Sequence, residues 1–201
     1  MQKRHRIFIA INLPDDIKRE LAKYQEKWSR SQGDRGSSAW SGPELPAKWT
    51  AKDNLHITLE FLGDLTDQEL ADVCKVAAEV AKRHKPFSIT LNKVLYGPPK
   101  KLPPRMVWLE GEKSDKLADL KQDLQESLLE AVRFAPEKRG GAPHITLARI
   151  REWEWKRIEP EERPEVDENV DLVFSVESIE VEESELKRGG PEYIILESCI
   201  L

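Results

Sequence analysis

Two stretches of this chain carry residue types that could do chemistry together, and both open with the same tetrapeptide. His56-Ile57-Thr58-Leu59 begins the run HITLEFLG, and His144-Ile145-Thr146-Leu147 begins HITLARI. With ordinary residue usage such a tetrapeptide is expected on the order of once per thousand chains of this length. Two copies in one chain are therefore not coincidence, and they take two of its four histidines. Ile, Thr and Leu favour strands, whose side chains alternate between faces. His56 and Thr58 then share one face while Ile57 and Leu59 anchor the other, and the same holds for His144 and Thr146. Each copy offers an imidazole and, roughly 7 Å along at two strand rises, a hydroxyl.

If the two strands lie side by side, two imidazoles and two hydroxyls converge on one small volume suited to a phosphodiester. Imidazoles titrate near neutral pH and can act as an acid and base pair, and hydroxyls donate to non-bridging oxygens. A half-exposed strand face with no chemistry is the plain alternative for one copy, and the repetition argues against it. A metal site is the third reading. Two histidines are too few for a catalytic zinc without another protein ligand. Glu60 lies on the right face to supply one, but Ala148 holds the matching place in the second copy, so neither a metal nor another cofactor is expected.

The elements that must position these strands follow from periodicity. Residues 6–13 read as a buried strand, with Ile7, Ile9, Ile11 and Leu13 on one face and Phe8, Ala10 and Asn12 on the other. Pro14, Asp15 and Asp16 suit the first turn of a helix, on which Ile17, Leu21, Tyr24 and Trp28 recur at helical spacing. Residues 29–48 are dominated by Gly, Ser and Pro without periodicity, a long loop insertion in which Arg30 and Arg35 could meet a polyanion. The first motif strand spans 49–62. Thr66 and Glu69 form a capping-box pattern for a helix buried through Leu70, Val73, Ala77 and Val80, with Cys74 as a small core residue and His84 as a C-terminal cation. Residues 86–96 read as a strand, and the run GPPKKLPP as a stiff basic connector.

The second half repeats the first. A strand at 105–110 precedes a helix capped by Ser114 and buried through Leu117, Leu120, Leu124 and Leu128. The turn-prone segment 135–143 then leads into the second motif strand. After a charged stretch with two tryptophans, 170–181 and 193–201 read as two last strands joined through 187–190. Seven strands and three helices predict the α+β class, as one bilobal domain over 1–201. Its two sheets are backed by helices, with the motif strands in the cleft between lobes.

Composition narrows the partners. Charged residues make up 34% of the 201 and the net charge is −5, so there is no global basic field and any RNA contact must be local. Arg105 and the pair Lys100 and Lys101 are candidate backbone contacts, or simply a solvated basic loop. Phe8, sharing its face with Asn12, could stack a nucleobase or pack in the core. No apolar run is long enough to span a membrane, no signal-peptide pattern is present, and two distant cysteines fit a reducing cytoplasm.

With these residues in view, the chain resembles the 2H phosphoesterases, named for paired H-x-T/S-x motifs, and most closely their RNA 2′,3′-cyclic phosphodiesterase branch, once called 2′-5′ RNA ligase. The likeness runs through RIFIAINLP, LHITLEFLG, PRMVWL, PHITLAR and the closing GGPEYIIL. It implies a pseudo-twofold fold with the motifs facing each other. It also implies metal-free opening of a terminal 2′,3′-cyclic phosphate to a 2′-phosphomonoester, with reverse 2′-5′ joining of tRNA halves in some members. Carried over, His56 is the proton donor and His144 the acceptor, while Thr58, Thr146 and Arg149 hold the phosphate. Alternation puts Arg149 on the wrong face, so it needs a strand end or a bulge to turn inward, and Phe61, at the matching place of the first motif, is expected in the core. The partner implied is RNA with cyclic phosphate ends, handled by a monomer. Two alternatives stay open: a phosphodiesterase for small cyclic nucleotides or ADP-ribose cyclic phosphate, and a nucleotide- or RNA-binding module without turnover.

Overall fold

The computed structural model describes residues 3–29, 45–136 and 142–201. Arg30, Arg35 and most of the 29–48 insertion lie outside them. The elements run β1 (His5–Asn12), α1 (Asp15–Ser29), β2 (Ala47–Trp49), a 3-10 turn (Lys52–Asn54), β3 (His56–Leu65), α2 (Asp67–Ala81) and β4 (Phe87–Gly97). After these come β5 (Met106–Gly111), α3 (Asp115–Ala131), β6 (His144–Ile150), α4 (Glu152–Trp155), β7 (Asp167–Val176), β8 (Ser178–Lys187) and β9 (Gly190–Ile200).

The fold is α+β. The strands form one sheet in the order β7-β4-β5-β6-β3-β1-β8-β9, with β2 added on β6, and neighbouring strands pair antiparallel throughout. The order is that of two four-stranded halves placed edge to edge. In each, the motif strand (β3 or β6) lies innermost, next to the strand that precedes it across a long helix (β1 or β5). The two sheets expected from the sequence are thus continuous, and their seam is the motif pair itself.

Two differences from the expected strand list have visible causes. The 49–62 segment is interrupted by the 3-10 turn, so β2 and the motif strand are separate. The 170–181 segment breaks at Glu177, and its parts pair in opposite halves, β7 with β4 and β8 with β1. The buried positions shift phase there, from Phe174 and Val176 to Ile179 and Val181. A strand cannot keep both sets on one face, because its side-chain period is two.

The helices form as their caps and stripes dictate. On α2 the Thr66 side chain accepts from the Glu69 backbone N–H and the Glu69 carboxylate accepts from that of Thr66. On α3 Ser114 accepts from the Leu117 N–H, and Leu117, Leu120, Leu124 and Leu128 are all buried. His84 closes the turn after α2 and meets Asp123 of α3 at 3.0 Å, beside Arg83, which donates to the same carboxylate at 2.7 Å. The histidine expected at the helix end therefore ties two helices together.

Candidate active site

The motif strands meet antiparallel with Ile57 opposite Ile145. Continued one residue either way, that register sets His56 across from Thr146 and Thr58 across from His144, so each imidazole neighbours the other motif's hydroxyl. All four side chains line one cleft of about 740 Å³. Ile57 and Ile145, pointing the other way, are buried and hold the pair on the core.

Both motif strands then break alternation at the same place. Ile9 pairs with Glu60 and Ala10 with Thr58, leaving Leu59 as an extra residue. Val107 pairs with Ala148 and Trp108 with Thr146, leaving Leu147 extra. A bulge of this kind puts two residues where the partner strand has one and re-aims the side chains beyond it. Burial along the first seven residues is the same in the two strands: the histidine and threonine are half-buried in both, Leu59 and Glu60 are buried and Phe61 exposed, as Leu147 and Ala148 are buried and Arg149 exposed. Arg149 thereby turns into the cleft. So does Phe61, which is 57% exposed, and its expected place in the core is corrected. Glu60 faces the core instead of the cleft and accepts from the Gln125 amide, which removes it as a candidate metal ligand.

Each imidazole rests on an aromatic floor. Phe8 is only 2% exposed, with its ring centroid 5.1 Å from His56, 5.9 Å from Phe61 and 5.0 Å from Tyr193. Phe8 is therefore a support beneath His56 and has no face left for a nucleobase. Under His144 lies Trp108, at 4.3 Å and 34°. The indole reaches that position by lying across Gly97, where an added Cβ would fall 2.1 Å from the Trp108 ring. Arg105, Lys100 and Lys101 are exposed but do not line the cleft. The Arg105 carbonyl instead accepts from the Ile150 N–H at 2.9 Å.

The polar setting fixes the state of His56. Its Nδ1 lies 2.8 Å from the Asn54 carbonyl and its Nε2 lies 2.9 Å from Thr58 Oγ1. A carbonyl can only accept, so Nδ1 carries the hydrogen and Nε2 is left as the acceptor. Burial pushes the pKa down to about 4, with Lys18 and His144 adding repulsion against a partial rise from the Asn54 carbonyl. Two strands away on β8, Glu182 is driven up to about 7 by burial, and repulsion from Glu180 adds to the rise. Its Oε1 accepts from Asn12 Nδ2 at 2.8 Å.

Several cleft residues escape a reading of the sequence alone. Tyr193 of β9 packs edge-on against His56 at 5.2 Å and 82°. Asn54 receives the His56 N–H on its carbonyl and donates its side chain to the Pro191 carbonyl at 2.7 Å, which ties the β8–β9 hairpin to the cleft. Trp49 lines the wall from β2. None of these belongs to the repeated tetrapeptide: Tyr193 and Trp49 are brought in by long-range strand pairing, and Asn54 by the 3-10 turn just before β3.

This geometry, a seam of two bulged H-x-T strands in one antiparallel sheet, defines a phosphoesterase of the LigT-like type. A family model described as LigT-like phosphoesterase matches residues 11–108. The RNA 2′,3′-cyclic phosphodiesterase of Thermus thermophilus is 31% identical over 201 residues, covering 98% of this chain and 90% of that protein. A crystal structure of a Thermus thermophilus protein superposes with a TM-score of 0.76 at 28% identity, covering 98% and 97% of the two chains. Escherichia coli LigT, solved with 3′-AMP, shares the fold with a TM-score of 0.73 at 24% identity over 99% of each chain. The chain belongs to the RNA 2′,3′-cyclic phosphodiesterase family.

Proposed function

We propose that this chain opens the 2′,3′-cyclic phosphate at RNA termini by metal-independent hydrolysis, leaving a 2′-phosphomonoester, and that it works as a monomer in the cytoplasm. The observation that carries this reading is the seam, where two imidazoles and two hydroxyls face one cleft. His144 takes a proton from the attacking water as its oxygen bonds to phosphorus. His56 gives a proton to the 3′ oxygen as the P–O3′ bond breaks. Each transfer contributes about 10²–10⁴-fold. Thr58 and Thr146 donate to the non-bridging oxygens and hold the phosphorus in line, where charge builds in the transition state. The Arg149 guanidinium binds a phosphate, and the exposed face of Phe61 offers a platform for a base. With a 5′-hydroxyl in place of water, the same atoms would join RNA ends, tRNA halves included, through a 2′-5′ bond.

In the open cleft His56 is neutral at physiological pH, because its pKa lies near 4. As donor it takes up its proton together with the substrate, since a phosphate anion beside the ring favours the charged form. The same lowered pKa and bare Nε2 favour a second reading, in which His56 is the acceptor and His144 the donor.

The test is a hydrolysis assay in EDTA on an oligonucleotide ending in a 2′,3′-cyclic phosphate, with the product resolved as 2′- or 3′-phosphate. A 2′-phosphate formed by the wild type and lost in His56→Ala and His144→Ala is the expected result. No turnover on RNA or on 2′,3′-cyclic mononucleotides would overturn it and leave a binding module. A Michaelis constant indifferent to salt would point to a small cyclic phosphate, because an RNA tail adds contacts that salt screens.

A further inference from the structure

Gln25 lies on the buried stripe of α1, four residues after Leu21 and three before Trp28, where an apolar side chain would be expected. It is only 7% exposed. Its amide Nε2 donates to two carbonyls, Thr50 O and Leu147 O, each at 3.0 Å. Leu147 is the extra residue of the β6 bulge. A bulge takes its residue out of the ladder, here the one with β5, and its carbonyl has two lone pairs that donors can fill. Around this point the Thr50 N–H also donates to Leu147 O at 2.9 Å, and Thr50 Oγ1 donates to Thr146 O at 2.8 Å. A helix of the first half therefore fixes the backbone of the second half's motif strand, between Thr146 and Arg149. In the other half an amide of α3 also meets the bulge, through a side chain instead of the backbone: Gln125 donates to the carboxylate of Glu60, next to the extra residue Leu59 of β3.

We infer that Gln25 is a positioning residue for substrate binding: its amide holds the Leu147 bulge in the form that turns Arg149 into the cleft. Resting on the reading of that cleft as an RNA-phosphate site, the inference names what orients its cation. Without the bulge, β6 would regain regular alternation and Arg149 would rotate toward the core face. A methionine at position 25 keeps the length and loses both donors. Gln25→Met should raise the Michaelis constant for the RNA oligonucleotide about tenfold, with kcat changed far less. Its dependence on salt should weaken by roughly one phosphate contact.

The deciding experiment is a double-mutant cycle of Gln25→Met with Arg149→Met, read as KM, kcat and the salt slope of KM. If Gln25 acts through Arg149, the double variant is no worse than Arg149→Met alone. Additive losses, or an unchanged KM in Gln25→Met, overturn the inference. Should Gln25→Met fail to fold, Gln25→Glu replaces it. An ionised carboxylate repels both carbonyls whereas its acid form donates to one, so the KM ratio to wild type should rise with pH, and a flat ratio overturns the inference. A wild type that leaves the cyclic phosphate intact would refute the proposed function alone. The same cycle is then read as binding of inorganic phosphate by calorimetry, where coupling between positions 25 and 149 upholds the role of Gln25 and additivity ends it.

Discussion

The two halves of the sheet share a backbone and differ in what they hang on it. Each motif strand has the same imidazole and hydroxyl, the same extra leucine and the same turn outward two residues later. The decoration then diverges. Where β6 presents Arg149, β3 presents Phe61. The register that pairs Ala10 with Thr58 in one half pairs Trp108 with Thr146 in the other. His144 therefore rests on an indole beside its own Thr, and His56 on Phe8 from two residues earlier in β1. The symmetry supplies two equivalent imidazoles, and the asymmetry is what can give them different tasks. A cation at one end of the seam and an exposed ring at the other would, on the proposed function, give a bound nucleotide a direction.

The largest effects test whether the tasks differ. Replacing either histidine by alanine should slow the opening of the cyclic phosphate by about 10²–10⁴-fold. On a nucleoside 4-nitrophenyl phosphodiester the phenolate departs without needing a proton. There His56→Ala should recover most of its loss while His144→Ala stays slow. Recovery by His144→Ala instead would exchange the two roles, as the low pKa of His56 would favour, and equal impairment of both would mean that neither serves as donor alone.

Next come the two floors. Phe8→Ala empties a fully buried aromatic site and should cost about 3–5 kcal/mol in urea unfolding. Gly97→Ala acts in the opposite sense, driving a methyl into the Trp108 ring, and should cost about 1–3 kcal/mol by overpacking. If the floors serve the imidazoles above them, each substitution should shift the ring signals of its own histidine in NMR spectra and leave the other in place. A change in both histidines from either substitution would show that the seam is rigid enough to act as one unit.

The repeated histidines and threonines are legible in the sequence, because strand period alone puts each pair on one face. The helices are legible from Thr66, Ser114 and their leucine stripes, since caps and 3.6-residue spacing are local signals. The bulges are not. Leu-Glu and Leu-Ala after each motif threonine read as ordinary alternation, and only the pairing with β1 and β5 shows the extra residue. This is why alternation sends Phe61 to the core and gives Arg149 no route inward from its own sequence. Gln25 escapes notice for the same reason, as its carbonyl partners lie 25 and 122 residues further along the chain. Phe8 has two readings that only burial can separate.

An effect that appears only as pH is varied contrasts His56 with the histidine at the far end of the same strand pair. His5 is buried between Asp67 and Glu183, 2.8 Å from each, and these hydrogen bonds, that to Asp67 foremost, raise its pKa above 6.5. Its charged form is favoured in the fold, so its contribution to stability is complete below pH 6.5 and fades as pH rises through the raised value. His56, lowered from 6.5 to about 4, has the opposite sign. The unfolded chain binds its proton first, so the stability held above pH 6.5 is lost as pH falls toward 4, by an amount on the order of 2–3 kcal/mol. Urea midpoints across this range check both. Relative to wild type, His56→Ala should gain stability on going from about pH 8 to about pH 4.5, whereas His5→Ala should be most costly below about pH 6.5 and cost less on the alkaline side. A His56→Ala variant whose difference from wild type stays flat with pH would mean that the cleft imidazole is as well solvated as a surface one. The low pKa would then lose its weight in choosing between the two proton-transfer assignments.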